Sequence, residues 1–193
     1  MRRLVRDRRG ATLVEFALVS PVLFLLLIGL FDLGFQAYAR NLLSGAVQAA
    51  ARKATLEGNS SETTTAALDA AIVEQMRLLG HDLRWNSTRK SYRKFGDIRA
   101  EPFDDANRNG VRDNGECYSD VNDNRRWDGD PGATGQGGAN DITVYTITIT
   151  YPRPFPLAGM IGIPADQSVT ASTMLKNQPY GAQGGGTPVQ RCG

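Results

Sequence analysis

The stretch that decides the fold reads Arg9-Gly10-Ala11-Thr12-Leu13-Val14-Glu15-Phe16-Ala17-Leu18-Val19, and it continues through Pro21 as an apolar run that ends at Phe31. From Ala11 to Phe31 the polar residues are Thr12, Glu15 and Ser20. About 20 helical residues at ~1.5 Å each are enough to cross a hydrocarbon core of ~30 Å. The sequence therefore predicts a transmembrane helix over residues 11–32.

The charges on either side of this run predict its orientation. Residues 1–10 form a basic leader with five arginines against Asp7, whereas the chain just beyond the run carries only Asp32 and Arg40. Positively charged flanks stay in the cytoplasm. The leader is therefore expected to be cytoplasmic and the C-terminal bulk to be exported.

Glu15 is out of place in such a helix, because a carboxylate inside a spanning segment costs roughly 2.5 to 3.5 kcal/mol on insertion scales. One interpretation is a side chain that snorkels to the interface or is protonated. The other follows from spacing, since Glu15 is the fifth residue after Gly10. A cut between Gly10 and Ala11 would free an α-amine that can pair with Glu15 of a neighbouring subunit.

This arrangement resembles the class III signal of type IV pilins and pseudopilins, in which a prepilin peptidase cleaves after a glycine and the fifth mature residue is glutamate. The longer string, together with Pro21 and Gly29-Leu30-Phe31-Asp32-Leu33-Gly34, resembles the TadE-like family of tight-adherence pilus assembly proteins. The resemblance covers roughly residues 8–54. TadF-like proteins share the anchor signature, so this window does not separate the two.

The resemblance implies a pseudopilin or minor pilin anchored in a bacterial inner membrane and needed to assemble a thin adhesive surface pilus, whether or not it enters the fibre itself. Its processing site would be Gly10 and Ala11, and Glu15 and Phe16 would form the assembly contact. The implied partners are other pilins, the pilus assembly machinery and the prepilin peptidase, with the exported domain in the periplasm.

The rest of the chain predicts an α+β fold built on a continuation of the same helix. An apolar face persists to about Glu57, so residues 33–58 extend the transmembrane helix as a periplasmic spine rich in small residues. A second, antiparallel helix is indicated by the cap Asn59-Ser60-Ser61 and the stop Gly80. The periplasmic domain is expected over residues 59–180, followed by a flexible glycine-rich tail at 181–193.

A small antiparallel sheet completes this domain. Residues 141–151 alternate β-branched and polar side chains, and further strands are expected at about 86–94 and 168–175. Residues 152–164 enclose an apolar island, which either covers the sheet or touches the membrane or a partner subunit; of these we expect a short helical lid over the core.

The acidic region at residues 103–131 repeats with a period of fifteen. Calcium takes six to eight oxygens, and a twelve-residue loop supplies them from positions 1, 3, 5, 7, 9 and 12, with glycine at position 6. The first copy matches at every position, with Gly110 at the turn and six ligands: Asp105, Asn107, Asn109, Val111, Asp113 and Glu116.

The second copy matches only in part. Its ligand positions hold Asp120, Asn122, Asn124 and Asp128, but Arg125 replaces the glycine and Pro131 the closing acid, with Asp130 one residue early. We expect tandem calcium loops resembling thrombospondin type 3 or dockerin-like repeats, with calcium as a structural cofactor. A metal-free hairpin rich in Asx turns is the alternative.

The two cysteines, Cys117 and Cys192, either form a disulfide in an oxidising compartment or remain free thiols. The sequence gives little sign of a catalytic site, since the only histidine is His81 and no nucleophile elbow or phosphate-binding loop occurs. We therefore expect a structural protein rather than an enzyme. We also expect no nucleic-acid partner. The rival hypothesis is an exported calcium-binding adhesin or secreted protein, cleaved at Ala37-Tyr38-Ala39.

Overall fold

A computed structural model of the chain describes residues 9–54, 62–155, 159, 162–178 and 187–192. Helix α1 (Arg9–Ala54) is continuous through 46 residues and contains Pro21. It joins the predicted membrane segment to the predicted spine without a break. The expected end of this helix near Glu57 lies outside the described residues.

Helix α2 (Glu62–Met76) packs against α1 and ends in a 3₁₀ turn, Arg77–Leu79. Gly80, with a positive φ of 152°, follows this turn and lies beside Pro152. Arg153, the next residue, pairs with Asp32 of α1. The second helix therefore runs back along the outer half of the first, as predicted. Its expected cap at residues 59–61 is outside the described residues.

The main sheet is antiparallel and has the order β3-β1-β4-β5. Its strands are β1 (Arg84–Tyr92), β3 (Ala133–Thr134), β4 (Ile142–Pro152) and β5 (Asp166–Lys176). The three longer ones correspond to the three predicted strands, and the last of them, β5, is longer than expected. Residues 156–158, 160 and 161 of the predicted lid lie outside the described residues. The ring of Phe155, at its start, stacks on Phe31 of α1 with centroids 6.2 Å apart.

Strict alternation along β4 decides which face of the sheet is covered by the helices. Tyr145, Ile147, Ile149 and Tyr151 are buried, whereas the threonines between them face outward. The outward threonines pair across to β5 through hydroxyl–hydroxyl hydrogen bonds of 2.8–2.9 Å. The buried apolar core joins α1, α2, the 3₁₀ turn and the sheet through Ala39, Leu43, Ala46, Val47, Ile72, Met76, Leu79, Tyr145, Ile147, Ile149, Tyr151, Val169 and Ala171.

A buried polar cluster fastens α2 to the sheet. Asp69 accepts hydrogen bonds from Arg89 at 2.5 Å, from the Tyr145 hydroxyl at 2.6 Å and from Ser87 at 2.7 Å. Burial raises the pKa of Asp69, but these hydrogen bonds outweigh burial and the net pKa lies below the ordinary value. The Arg89 guanidinium also lies over the Tyr145 ring, 4.4 Å from its centroid. The carboxylate is therefore ionised and fully partnered inside the fold.

A second, two-stranded sheet pairs β2 (Tyr118–Asp120) with β6 (Val189–Arg191). The structure contains a disulfide between Cys117 and Cys192, immediately beside this pair. The prediction of a flexible tail over 181–193 is therefore wrong for its last part. Three residues with little apolar surface are held by strand pairing and a covalent bond, which a composition argument does not weigh.

The two ends of the main sheet have different roles. One end holds Gly80, Pro152 and Arg153, close to Asp32 at the end of the apolar run. The opposite end carries the chain between β1 and β4, which includes the whole acidic region. We call the first the anchor-side end and the second the far end.

Candidate functional site

The first half of α1 is largely exposed within the described part of the chain, up to the stack of Phe31 on Phe155 at its end. One helix there, Gly10–Ala54, is long and apolar enough to cross a membrane, and none of its most apolar window is buried. From residue 10 onward, the first buried residue of α1 is Ala39. The helix of a soluble core would be covered over most of its length, so this half is free to contact lipid or other helices.

The predicted processing and assembly residues lie on this free half. Gly10 and Ala11 are exposed, and so are Glu15 and Phe16 one turn further on. A Cβ added at Gly10 would meet no atom within 4 Å. Nothing in the fold itself therefore requires glycine at this position, or a carboxylate at position 15.

Small residues in the outer half of α1 divide into two sets. Ala39, Ala46 and Ala51 are buried against the chain's own helices and sheet. Ala37, Gly45 and Ala49 are exposed on the other side. The head domain therefore accounts for only part of the small-residue content of this helix.

Loop A (residues 105–116) is organised by its predicted ligand side chains. Asp105 accepts hydrogen bonds from the N–H groups of Asn109 and Gly110, at 3.0 and 2.7 Å. The side-chain amides of Asn107 and Asn109 both donate to Oδ2 of Asp113, at 2.7 and 2.8 Å. All these side chains converge on one centre.

Loop B (residues 120–128) repeats this pattern fifteen residues later. Asp120 accepts from the N–H groups of Asn124 and Arg125, at 3.1 and 2.8 Å. The amides of Asn122 and Asn124 donate to Asp128 at 2.9 and 2.6 Å. The structure therefore brings together all four ligand residues predicted for the second copy.

The closing acid of loop B is Glu101, which the sequence analysis missed. In loop A, Glu116 accepts from the N–H groups of Ala106 and Asp113, at 3.0 and 2.9 Å. Glu101 accepts from the equivalent groups of loop B, Val121 and Asp128, at 2.8 and 2.9 Å.

The sequence carried a signal for this residue, because Glu101 precedes Glu116 by one fifteen-residue period. Asp130, which stands near the expected closing position, instead accepts hydrogen bonds from Lys90 and Tyr92. Burial and this carboxylate raise the pKa of Tyr92 to about 12.

The electrostatics of Glu101 differ from those of an exposed acid. Burial raises its pKa, the two N–H groups partly offset this, and the nearby charges of Asp120 and Asp128 raise it further. The Glu101 backbone is held as well, since its carbonyl accepts from the Trp127 indole at 2.8 Å. Glu101 is thus fixed in place by both main chain and side chain.

Arg125 replaces the expected glycine without changing the turn. Gly110 in loop A has a φ of 78°, and Arg125 at the same place in loop B has a φ of 65°. Left-handed backbone disfavours residues with a Cβ by roughly 1–2 kcal/mol. The hydrogen bonds of Asp120 and Asn124 therefore hold loop B in the shape of loop A against a local strain.

Loop B also carries a cationic partner from the C-terminus. Arg191 of β6 donates from Nε to Oδ2 of Asp120 at 2.6 Å, and its second nitrogen pairs with Asp123. Asp120 is fully buried, and burial raises its pKa, but hydrogen bonds from Arg125 and Arg191 bring the net pKa below the ordinary value. One predicted ligand carboxylate of loop B is thus already neutralised within the chain.

The donor chemistry of the two loops fits a hard cation. Each supplies two aspartates, one glutamate, two asparagines and a main-chain carbonyl at position 7, which together offer the six or more oxygens that calcium takes. In the present arrangement the side-chain nitrogens of the two asparagines donate to the aspartate at position 9 of each loop, which is Asp113 in loop A and Asp128 in loop B. Among the residues that the structure describes, no group of three or more Asp, Glu, His or Cys side chains forms a ready-made metal site. Calcium binding would therefore require the amides to turn over.

Comparison with known proteins adds one match. Residues 10–52 match the protein family described as TadE-like protein. This confirms the resemblance drawn from Gly10, Glu15 and the string that follows them. No curated protein and no solved structure matches the chain.

Proposed function

From the TadE-like match over residues 10–52, we propose that this chain is a membrane-anchored pseudopilin or minor pilin required to assemble a tight-adherence pilus. One observation carries the proposal. The matched residues form a single unbroken helix whose most apolar part is not buried by the chain's own head and whose second half is built into that head. Such a helix can be shared between a membrane and a bundle of pilin helices while the head stays outside.

In this proposal the leader is cytoplasmic and the head lies in the periplasm. A prepilin peptidase cuts between Gly10 and Ala11, and the new α-amine pairs with Glu15 of a neighbouring pilin. Pairing removes the cost of an unpartnered carboxylate in lipid. The exposed Ala37, Gly45 and Ala49 then offer a surface on which a neighbouring helix can approach closely.

The rival hypothesis of a secreted adhesin is disfavoured by the burial of Ala39. A secretory cut after Ala39 would remove a core residue that is 0% exposed, together with the Asp32–Arg153 ion pair. It would also cut in the middle of α1, where the backbone is helical on both sides. The anchored protein keeps all these contacts.

N-terminal sequencing of the mature protein tests the processing step. We expect Ala11 as the first residue in cells that express the dedicated prepilin peptidase, and Met1 in cells that lack it. Gly10→Leu should abolish processing without unfolding the protein, since the position is open. Gly34→Leu is the matched control, because that helical glycine is equally open. A mature chain that begins at Arg40 would refute the proposal.

The assembly contact is tested separately with Glu15→Gln. This variant should still be cut after Gly10 and should still fold, but it should assemble few or no pili. Glu74→Gln, an exposed glutamate of α2 that pairs only with Arg77 in a surface salt bridge, is the control. Normal piliation by Glu15→Gln would show that Glu15 is not the assembly contact.

We propose further that loops A and B bind calcium as structural sites. The ligands are Asp105, Asn107, Asn109, Asp113, Glu116 and the Val111 carbonyl in loop A, and Asp120, Asn122, Asn124, Asp128, Glu101 and the Arg126 carbonyl in loop B. Two asparagines in each loop lower the ligand charge, which favours affinities of about 10⁻⁴–10⁻³ M, as in extracellular modules. The shared hydrogen-bond pattern of the two loops supports this proposal.

Thermal unfolding with calcium or with EGTA tests it. At a calcium concentration about 100 times the dissociation constant, one site adds about 2.7 kcal/mol of stability. In a chain of this size that corresponds to a rise in Tm of roughly 5–10 °C. An unchanged Tm at that concentration, which is about 10–100 mM for the affinities proposed above, would leave the loops as metal-free structural turns. The proposed role is structural throughout, with no catalytic step and no nucleic-acid partner.

A further inference from the structure

The anchor-side end of the head lies directly over the place where α1 leaves the apolar run. Phe31 is the last residue of that run, and its ring stacks on Phe155, 6.2 Å between centroids. The next residue, Asp32, pairs with Arg153, and both side chains are largely buried. The head is therefore fixed to the helix at the level of the membrane surface, with no spacer between them.

Separate elements present apolar side chains at this end. Leu78 in the 3₁₀ turn is 72% exposed, and Ile163, just before β5, is 42% exposed. Phe155, after β4, is partly covered by Phe31. None of the three is a member of the buried core. They come from two different connections, that between α2 and β1 and that between β4 and β5, and are brought to one end by the topology of the sheet.

The charges near these side chains are arranged so that they do not oppose contact with lipid. The sequence from Phe155 to Pro164 contains no charged residue. Arg153 is neutralised by Asp32 and also donates to the Pro164 carbonyl at 3.1 Å, and Asp166 pairs with Arg84. An apolar rim between internally paired charges is suited to the boundary between headgroups and acyl chains.

We infer that Leu78, Phe155 and Ile163 form a lipid-contacting rim, through which the head rests on the membrane beside its own spanning helix. The occupant is a bilayer surface rather than another protein, because the rim continues the lipid-exposed surface of α1 through the Phe31–Phe155 contact. This inference rests on the membrane anchoring proposed above. It adds that the head is seated on the bilayer before assembly, with its far end and its loops directed away from the lipid.

Quenching by brominated lipids tests the inference on the full chain in phosphatidylcholine vesicles. Trp85 is first changed to Phe, so that the remaining native tryptophan is Trp127 at the far end. In this background a reporter is introduced as Phe155→Trp or, if that change disturbs the stack on Phe31, as Ile163→Trp. Phe95→Trp is the matched control, because Phe95 is an aromatic residue 68% exposed at the far end.

We expect bromines placed near the headgroups to cause a loss of fluorescence in the Phe155→Trp and Ile163→Trp proteins that exceeds the loss in the Phe95→Trp protein. Equal losses at the two ends of the sheet would overturn the inference. Extraction with alkaline carbonate is measured on the same vesicles. Protein that resists extraction but shows no difference in quenching is anchored without a lipid-contacting rim, whereas protein that is extracted is not anchored, and both proposals then fail.

Discussion

Replacing Glu101 with alanine is the sharpest test of how the acidic region is built. The side chain is 2% exposed and accepts the N–H groups of Val121 and Asp128. Its removal leaves two partly buried donors without an acceptor, at about 1–3 kcal/mol each. Burial of the carboxylate offsets part of this loss of stability, because burial disfavours the ionised form of Glu101 and raises its pKa. We therefore expect a loss near the lower end of that sum, about 2–3 kcal/mol.

Glu116→Ala is the matched control, because Glu116 makes the same two hydrogen bonds in loop A. Glu116 itself is 8% exposed, but its donors Ala106 and Asp113 lie at the surface, where water can replace the lost acceptor. The two bonds together should therefore cost no more than one ordinary net hydrogen bond, about 0.5–1.5 kcal/mol. The change at Glu101 should be the more costly of the two.

Urea unfolding of the detergent-solubilised chain, in EGTA, measures both variants. Fluorescence of Trp127 is a local reporter, since its indole donates to the Glu101 carbonyl. A Glu101→Ala protein within about 0.5 kcal/mol of the parent, which is typical of surface changes, would refute the claim that Glu101 closes loop B. With calcium added, Glu101→Ala should lose the response of loop B and keep that of loop A.

Three further predictions can be tested in the absence of calcium. Arg125→Gly should stabilise the protein by up to about 1 kcal/mol in thermal unfolding, because it relieves left-handed strain at an exposed residue; a loss of stability would contradict this. Asp69→Asn should cost about 3–5 kcal/mol at pH 7 by leaving Arg89 buried without its ion pair. Because the folded pKa of Asp69 is lowered, its contribution is complete above the ordinary aspartate pKa and is lost as pH falls through the folded pKa, so the two proteins should converge in acid. Replacing both Cys117 and Cys192 by serine should cost about 2–4 kcal/mol in urea unfolding, because the bond closes a loop with a sequence separation of 75 residues; an unchanged midpoint would show that the bond adds nothing to the folded state.

Local patterns predicted most of the architecture. The apolar run before Phe31 and the helical period after it predicted α1, and the alternation along residues 141–151 predicted the central strand. Both signals depend on which residues face a neighbouring layer, and both are carried by long segments. The order of the strands could not be predicted, because the acidic region separates β1 from β4 by about 50 residues. A connection of that length gives no local signal of which strands pair.

The acidic region shows why the rest was missed. Position-by-position comparison with a twelve-residue loop placed the closing acid of loop B at Pro131, whereas the chain supplies Glu101 from upstream. The strand pairing of Val189–Arg191 was missed for a related reason. A short polar segment buries too little apolar surface to fold by itself. It is held in place by contacts with Asp120, Asp123 and Cys117, which are far away in the sequence.

The closure of loop B by Glu101 makes the pair of loops cyclic. Glu101 precedes loop A and closes the loop that follows it, and its N–H donates to the Asp128 carbonyl at 3.0 Å. The last residue of loop B is thereby joined to a residue that lies ahead of loop A, so the two loops form a closed pair. Arrays of open repeats can lengthen by duplication, but insertion of a third fifteen-residue unit here would separate Glu101 from the loop it closes. The number of units is therefore fixed at two by the geometry of closure.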